Sequence, residues 1–529
     1  MLKVNNLEVF IKNGQESNKI INNISFNVKE KRCLGILGES GSGKSITCKA
    51  ILGLLNKDFE IKGEAIFKGQ DILTLSENEK RKLRGNEIAM IVQNPMTAFN
   101  PLYTVGNQVI ETFIENMRIS KKEARDLAIK SFEKMNLKNS KEILKKYPHE
   151  LSGGMLQRII IGITIFLKPY LIIADEPTTA VDSLNQREII EEFLKMKREL
   201  NTSMIFITHD LGVLSKVADD IIVMNKGEII EYGSKEEIIL NPQNEHTKFL
   251  VDTRLKLLRK FKQIVNARRE FMLLEVKNIE FSYGRRKLKR NNANILKNVS
   301  FSLNEGECLG LIGESGSGKS TLGRIILGLE KQQKGTITFN GVLNRDIWQK
   351  ELNVVFQDYT TSVNPRFKVI DIIKETLLEK KLNREELEKK VIELLEQVGL
   401  NKDYLYRYPH ELSGGQLQRV CITRAISQKP KFILLDEAIS SLDVSVQVQV
   451  LDLLIELKEK YNLSYLFITH DLSAVTYICD KVMFLKNGEI IEKIDDIKDL
   501  KYVKNEYSRA LLDSVDDIDF FDYKKAINI

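Results

Sequence analysis

The pattern G-x-x-x-x-G-K-S occurs twice in this chain. One copy is Gly38, Glu39, Ser40, Gly41, Ser42, Gly43, Lys44 and Ser45; the other is Gly313, Glu314, Ser315, Gly316, Ser317, Gly318, Lys319 and Ser320. Glycines at this density leave backbone amides uncovered, and such amides can wrap a chain of phosphates. The preceding runs CLGIL and CLGLI are apolar enough for a buried strand, and the residues from Ile46 and from Thr321 onward suit a helix. A helix N-terminus behind the loop adds positive potential. Lys44 and Lys319 are then placed to neutralise β- and γ-phosphates, and Ser45 and Ser320 to ligate Mg²⁺, with Thr321 counted among the phosphate contacts of the second loop.

Three further elements supply what phosphate chemistry needs. LIIADE (171–176) and FILLDE (432–437) are apolar runs ending in two carboxylates, as at the C-terminal tip of a buried parallel strand. Asp175 and Asp436 are expected to hold Mg²⁺ through water, and Glu176 and Glu437 to polarise the attacking water. His209 and His470 follow the strand-like runs MIFIT and LFIT and are expected at the γ-phosphate. Ser152, Gly153 and Gly154, and Ser413, Gly414 and Gly415, would each open a helix with a hydroxyl and bare amides, a second anion site that needs a different phosphate to serve. His149 and His410 read as structural contacts, and His246 as a solvated side chain.

The elements that position these groups form a repeat. YPHELSGG recurs at 147–154 and 408–415, and FITHDL at 206–211 and 467–472, both at an offset of 261. The glycine loops are offset by 275, so the first half carries 14 extra residues, assigned to a peripheral hairpin and connection at 56–85. Each half reads as alternating strands, a strand–loop–helix unit, a helix-rich middle and alternating strands and helices, hence an α/β core with an inserted helical part. A chain of 529 residues needs more than one core, and the boundaries are placed at 1–252 and 272–529, with a basic amphipathic linker at 253–271. GRRKLKR (284–290) reads as a solvated hairpin tip. The net charge of +7 on so long a chain gives no reason to expect nucleic acid. Five cysteines without a C-x-x-C spacing suggest neither a zinc site nor a disulfide framework and fit a reducing compartment. The longest apolar run, IIIGITIFL (159–167), is too short to cross a bilayer as a helix.

Taken together, the glycine loop, LSGG, DE and THD resemble the ATP-binding cassette family, twice and over nearly the whole chain. The resemblance implies two tandem P-loop domains, each with a RecA-like core, an antiparallel β subdomain and an inserted helical signature subdomain. It implies ATP and Mg²⁺ as ligands and ATP hydrolysis as the activity. It also implies an intramolecular cassette dimer closing head to tail, each ATP lying between one loop and the opposite signature. One site would join Gly38–Ser45, Gln93, Asp175, Glu176 and His209 to Ser413, Gly414, Gly415 and Gln416. The other would join Gly313–Ser320, Gln357, Asp436, Glu437 and His470 to Ser152, Gly153 and Gly154. Gln93 and Gln357 would also approach Mg²⁺, Asp182 and Asp443 would be the aspartates after the catalytic strand, and Tyr283 would stack on adenine. Two positions depart from the pattern: Met155 stands where the signature has glutamine, and Ala438 where proline follows the catalytic glutamate. Neither removes a phosphate donor or metal ligand, so both sites are expected to hydrolyse ATP.

Within that family, QNPMTAFNPLYTVGNQV (93–109) and QDYTTSVNPRFKVIDII (357–373), with Asn100–Pro101 and Asn364–Pro365, resemble the peptide and nickel importers. So do the tails NPQNEHTKFL (241–250) and KNEYSRALL (504–512). The implied partners are two transmembrane permease subunits and, through them, a substrate-binding protein. The implied location is peripheral, on the cytoplasmic face of the bacterial plasma membrane. LSGGMLQR and LLDEAISSLD are closer to the nickel or metallophore pair, so nickel or a metal–metallophore complex is the expected cargo, with dipeptide, oligopeptide or glutathione as the alternative. A soluble dual-cassette translation factor is the remote alternative; its long charged helical linker is not matched here.

Overall fold

A computed structural model of the chain describes residues 1–13, 16–178, 183–199, 202–259, 271–283, 294–343, 349–378, 382–440 and 442–516. Asp182, the 284–290 tip and residues 260–270 of the linker lie outside the described residues. The chain divides into two compact units, one built on Met1–Arg254 and the other on Leu255–Val515. Thr253–Arg259 continue a helix that begins at Glu245.

In the first unit a six-stranded sheet runs, in lateral order, Ile88–Ile91, Leu171–Asp175, Ser203–Ile207, Cys33–Leu37, Asp220–Asn225 and Glu228–Ser234. The first five strands are parallel and the last is antiparallel. The second unit repeats that order with Leu352–Val355, Phe432–Asp436, Ser464–Thr469, Cys308–Ile312, Lys481–Lys486 and Glu489–Ile494. Every residue of CLGIL, LIIAD and SMIFI is buried, as parallel strands covered on both faces require. Parallel neighbours bring the ends of CLGIL, LIIAD and SMIFI to one edge, where the glycine loop, the acidic pair and the histidine follow.

A second, antiparallel sheet covers the loop strand in each unit. In the first it contains Leu2–Asn13 between Glu16–Val28 and Phe59–Phe67; in the second, Met272–Phe281 between Leu296–Asn304 and Lys334–Phe339. The segment 56–85 holds a strand paired to Leu2–Asn13, a short hairpin return at Gln70–Asp71 and a helix, Glu77–Leu83, started by a capping box between Ser76 and Glu79. The helical part contains Val105–Met117, Lys121–Lys134 and Gly153–Leu167 in the first unit, and Val369–Leu377, Arg384–Glu396 and Gly414–Ile426 in the second. The apolar run 159–167 is thus the end of the signature helix, and no described helix is long and apolar enough to cross a membrane.

One glycine in each unit ties the two sheets to the loop. Gly488 donates to Ser317 O at 3.1 Å and accepts from Lys297 N at 2.8 Å. Its φ is +81°, and a Cβ there would lie 2.1 Å from Ile295 O. Gly227 makes the same pair of bonds, to Ser42 O at 3.0 Å and from Asn22 N at 2.9 Å. Left-handed backbone and a backbone clash leave no room for a side chain. Gly488→Ala should therefore lower the stability of the second unit by about 2–4 kcal/mol, read from the midpoint of denaturant unfolding. An unchanged midpoint would contradict this account of the joint.

Candidate functional site

The two loops are built alike. Gly43 and Gly318 adopt φ of +100° and +106°, and the helices Lys44–Ile51 and Lys319–Ile326 begin immediately after them. Lys44 Nζ donates to Gly38 O at 2.7 Å and Glu39 O at 2.8 Å; Lys319 Nζ donates to Gly313 O at 2.7 Å and Glu314 O at 3.0 Å. Both ammonium groups are buried at the mouth of the loop, held by carbonyl oxygens. This arrangement keeps a full positive charge where phosphate oxygens would meet the loop amides.

Behind each loop the hydroxyl and the acidic strand meet. Ser45 Oγ donates to Asp175 Oδ1 at 2.8 Å, and Ser320 Oγ to Asp436 Oδ1 at 3.0 Å. Burial pushes both aspartate carboxyls above their ordinary value, against the pull of the serine hydrogen bonds. A dication with oxygen preference would relieve that penalty, so the hydroxyl–carboxylate pair fits Mg²⁺. Among the described residues no cluster of three or more His, Cys, Asp or Glu forms a metal cage.

The neighbouring glutamate is gripped from two sides. Gln93 Nε2 donates to Glu176 Oε2 at 2.8 Å, and His209 Nδ1 lies 3.3 Å from Glu176 Oε1. In the second unit Gln357 Nε2 donates to Glu437 Oε2 at 2.9 Å, and His470 Nδ1 lies 3.5 Å from the same oxygen. The structure therefore brings together, within each unit, the loop, the Asp–Glu pair, the glutamine and the histidine. Both glutamates hold a left-handed backbone, φ +47° and +48°, fixed by hydrogen bonds from their N–H to Ile207 O and Ile468 O. Burial works to raise the Glu437 carboxyl but is outweighed by the hydrogen bond and charge of His470, with Lys319 adding, so it sits below the usual carboxylate value. Burial likewise works to lower His470, and Glu437 overcomes it, leaving the imidazole above 6.5.

The signature residues occupy a different element. Ser152 caps its helix by accepting from Met155 N–H at 3.3 Å, and Ser413 by accepting from Gln416 N–H at 3.3 Å. Gln416 returns a bond by accepting from Ser413 N–H at 3.0 Å, and its Nε2 donates to the Tyr404 hydroxyl at 3.2 Å. Gln416 is thereby engaged in closing a capping box, a role that Met155 has no polar atom to fill. The glycines also have local work: a Cβ on Gly414 would meet the Tyr359 hydroxyl at 2.5 Å, and one on Gly415 would meet Val446 at 2.5 Å. Asp443 directly precedes the helix Val444–Tyr461, in extended backbone conformation. Tyr283 is half exposed and packs edge-on against Phe281 at 4.9 Å.

The remaining histidines divide. His149 and His410 stack on Tyr147 and Tyr408 at 5.7 and 5.6 Å, structural contacts as expected. His246 is not solvated: it is half-buried, its ring faces Phe249, and its Nε2 is buried without a hydrogen-bond partner. The sequence reading also passed over Arg254, a buried guanidinium 3.7 Å from Asp210, the residue after His209. Its only sequence signal was a basic residue on the apolar side of a helical run.

A family profile described as ABC transporter matches residues 21–179 and 296–440. The chain belongs to the ABC transporter family. It carries two of the family's cassettes and is an ATP-hydrolysing transporter ATPase. Among its relatives, the ABC transporter ATP-binding protein YejF of Escherichia coli (strain K12) is 37% identical over 97% of this chain and 99% of its own length. The glutathione import ATP-binding protein GsiA of Pectobacterium atrosepticum is 35% identical over 97% of this chain and 89% of its own length. The peptidoglycan transport ATP-binding protein YejF of Agrobacterium fabrum is 37% identical over 97% and 96%. A solved complex of the archaeal ribosome recycling factor aABCE1 with a ribosomal stalk protein superposes with a TM-score of 0.62, 21% identity, 91% coverage of this chain and 88% of that one. At that identity the likeness extends to the fold alone.

The His470–Glu437 pair gives a directional prediction for this ABC transporter ATPase. In the wild-type chain His470 should titrate above 6.5 in a histidine NMR experiment. In Glu437→Gln the raising partner is gone and burial remains, so its pKa should fall. A pKa that stays put would remove the pair from the account.

Proposed function

We propose that this chain is the ATPase of an importer whose cargo is peptide-like, glutathione or another short peptide-bearing molecule, rather than nickel. What carries this reading is likeness over the full two-cassette length to glutathione and peptidoglycan transport ATP-binding proteins. The nickel reading rested on a few letters around Met155 and Ala438 and gains no support from those relatives. Cargo identity is read out at the membrane, so the test is uptake. A deletion strain should lose uptake of labelled glutathione or short peptides, restored by the wild-type chain, while Ni²⁺ uptake is unchanged. Loss of Ni²⁺ uptake alone would overturn the proposal.

Chemically, the constellation in each unit suits hydrolysis at a γ-phosphate. The loop amides and Lys44 or Lys319 would hold the phosphates. Ser45 with Asp175, and Ser320 with Asp436, would hold Mg²⁺, which when bound spreads the charge of the β- and γ-phosphate oxygens. Glu176 or Glu437 would accept the proton of the attacking water, its carboxylate aimed by the glutamine and histidine on either side. The signature of one cassette would complete the site of the other: Ser413–Gly415 for the first loop and Ser152–Gly154 for the second. Since the same groups occur at the same spacing in both units, both sites are read as hydrolytic, and Glu176→Gln and Glu437→Gln should lower the ATPase rate to a similar degree.

The permease partners have a surface to meet. In the first unit a groove of about 840 Å³ lies between the helices Glu77–Leu83 and Val105–Met117, floored by Phe99 and Ile163. Leu102 and Tyr103, in the loop that follows Gln93, are 79% and 56% exposed. A membrane subunit seated there, at the cytoplasmic face, would feel the glutamine that grips Glu176. The cross-cassette arrangement is tested by Ser413→Arg, which should cut hydrolysis at the first loop by at least about tenfold, measured with the second loop disabled by Lys319→Ala. A full rate in that background would refute the shared site.

A further inference from the structure

The tails of the two cassettes are mounted identically but end in different side chains. In the second unit Glu492 accepts from Lys504 N–H at 2.6 Å and Asn505 N–H at 3.3 Å, and Asn505 Oδ1 accepts from Tyr507 N–H at 2.9 Å. These bonds start the helix Glu506–Asp516 and fix where Tyr507 points. In the first unit Glu231 accepts from Gln243 and Asn244 N–H at 2.7 and 3.1 Å, and Asn244 Oδ1 accepts from His246 N–H at 2.8 Å. His246 therefore stands where Tyr507 stands.

The difference reaches the phosphate loop. Tyr507 is 6% exposed, its ring lies 4.4 Å from Lys486 Nζ, and its hydroxyl accepts from the N–H of Glu314 at 2.9 Å. Glu314 is the second residue of the loop, and its carbonyl is one of the two that hold Lys319 Nζ. One peptide link thus separates the tail from the lysine's cradle. In the first cassette the corresponding imidazole offers Nε2, buried and without a partner.

We propose that Tyr507 is a positioning residue for the second ATP site: its hydroxyl pins the start of the Gly313–Ser320 loop and so pre-forms it for phosphate. His246 stands at the same place in the first cassette and brings no hydroxyl to its loop. The proposal rests on the reading of both loops as phosphate-binding. A hydrogen bond of this kind changes binding by roughly three- to tenfold. It acts on the loop before ATP arrives, so it moves affinity and KM rather than kcat.

The test uses the full chain and mant-ATP, with the first loop disabled by Lys44→Ala. In that background Tyr507→Phe should weaken binding roughly three- to tenfold, with kcat within about twofold. If Tyr507 served packing alone, phenylalanine would bind mant-ATP as tyrosine does, and that result overturns the proposal. Tyr507→Leu, which also lacks the hydroxyl, should weaken binding by a similar factor in the same background. Should Tyr507→Phe not fold, this second variant decides, and unweakened binding overturns the proposal. Unimpaired binding in the Lys44→Ala, Lys319→Ala double variant would instead sink the phosphate-loop reading, and the anchor with it.

Discussion

A loop can wrap phosphate with its amides only if nothing else fills the space, and here that space is bounded by the protein's own backbone. A Cβ on Gly38 would come within 2.4 Å of Met224 O, and one on Gly313 within 2.3 Å of Leu485 O. Those carbonyls belong to the strands beside CLGIL and CLGLI, so the loop's curvature is set by the sheet and not by the loop. The antiparallel sheet, the glycine turn at 227 or 488 and the tail helix all press on the same few residues from outside. The acidic strand and histidine strand then arrive at the same edge by parallel pairing. Rearranging any of these neighbours moves the loop.

The two cassettes share this frame and differ in how its moving parts are fastened. Gln416 locks the second signature helix through a capping box that Met155 leaves half made. The Tyr507 hydroxyl meets the second loop at Glu314, and His246 stands at its place in the first cassette. In the first cassette the tail approaches the histidine segment instead, through Arg254 and Asp210.

Much of this was legible from spacing. The recurrence of LSGG, DE and THD at constant intervals, with the glycine loop ahead of them in both halves, located the strand tips that carry the Asp–Glu pairs and the histidines, because parallel strands leave that sequence–position relation little freedom. The buried runs were recognisable since strands covered on both faces admit few polar residues. What escaped were contacts closed across long stretches of chain. Tyr507 and Glu314 are 193 positions apart, and no local pattern marks a tyrosine whose hydroxyl meets a loop amide. His246 looked solvated because it has no histidine counterpart in the second half, whereas its ring lies beside Phe249 of its own helix. The glycines of LSGG read as bare amides for an anion, yet Gly414 and Gly415 also make room for Tyr359 and Val446, a demand visible only once the helices are packed.

The left-handed backbone at Glu176 and Glu437 has a consequence for how these positions can vary. A side chain with a Cβ is disfavoured there by about 1–2 kcal/mol, and glycine would remove that strain while removing the carboxylate. At these two codons the gradients of thermal robustness and of turnover point in opposite directions. A library of variants sorted only for heat resistance should accumulate glycine at 176 and 437, and under the proposed role of the two carboxylates what it collects there would be sturdier proteins that no longer consume ATP.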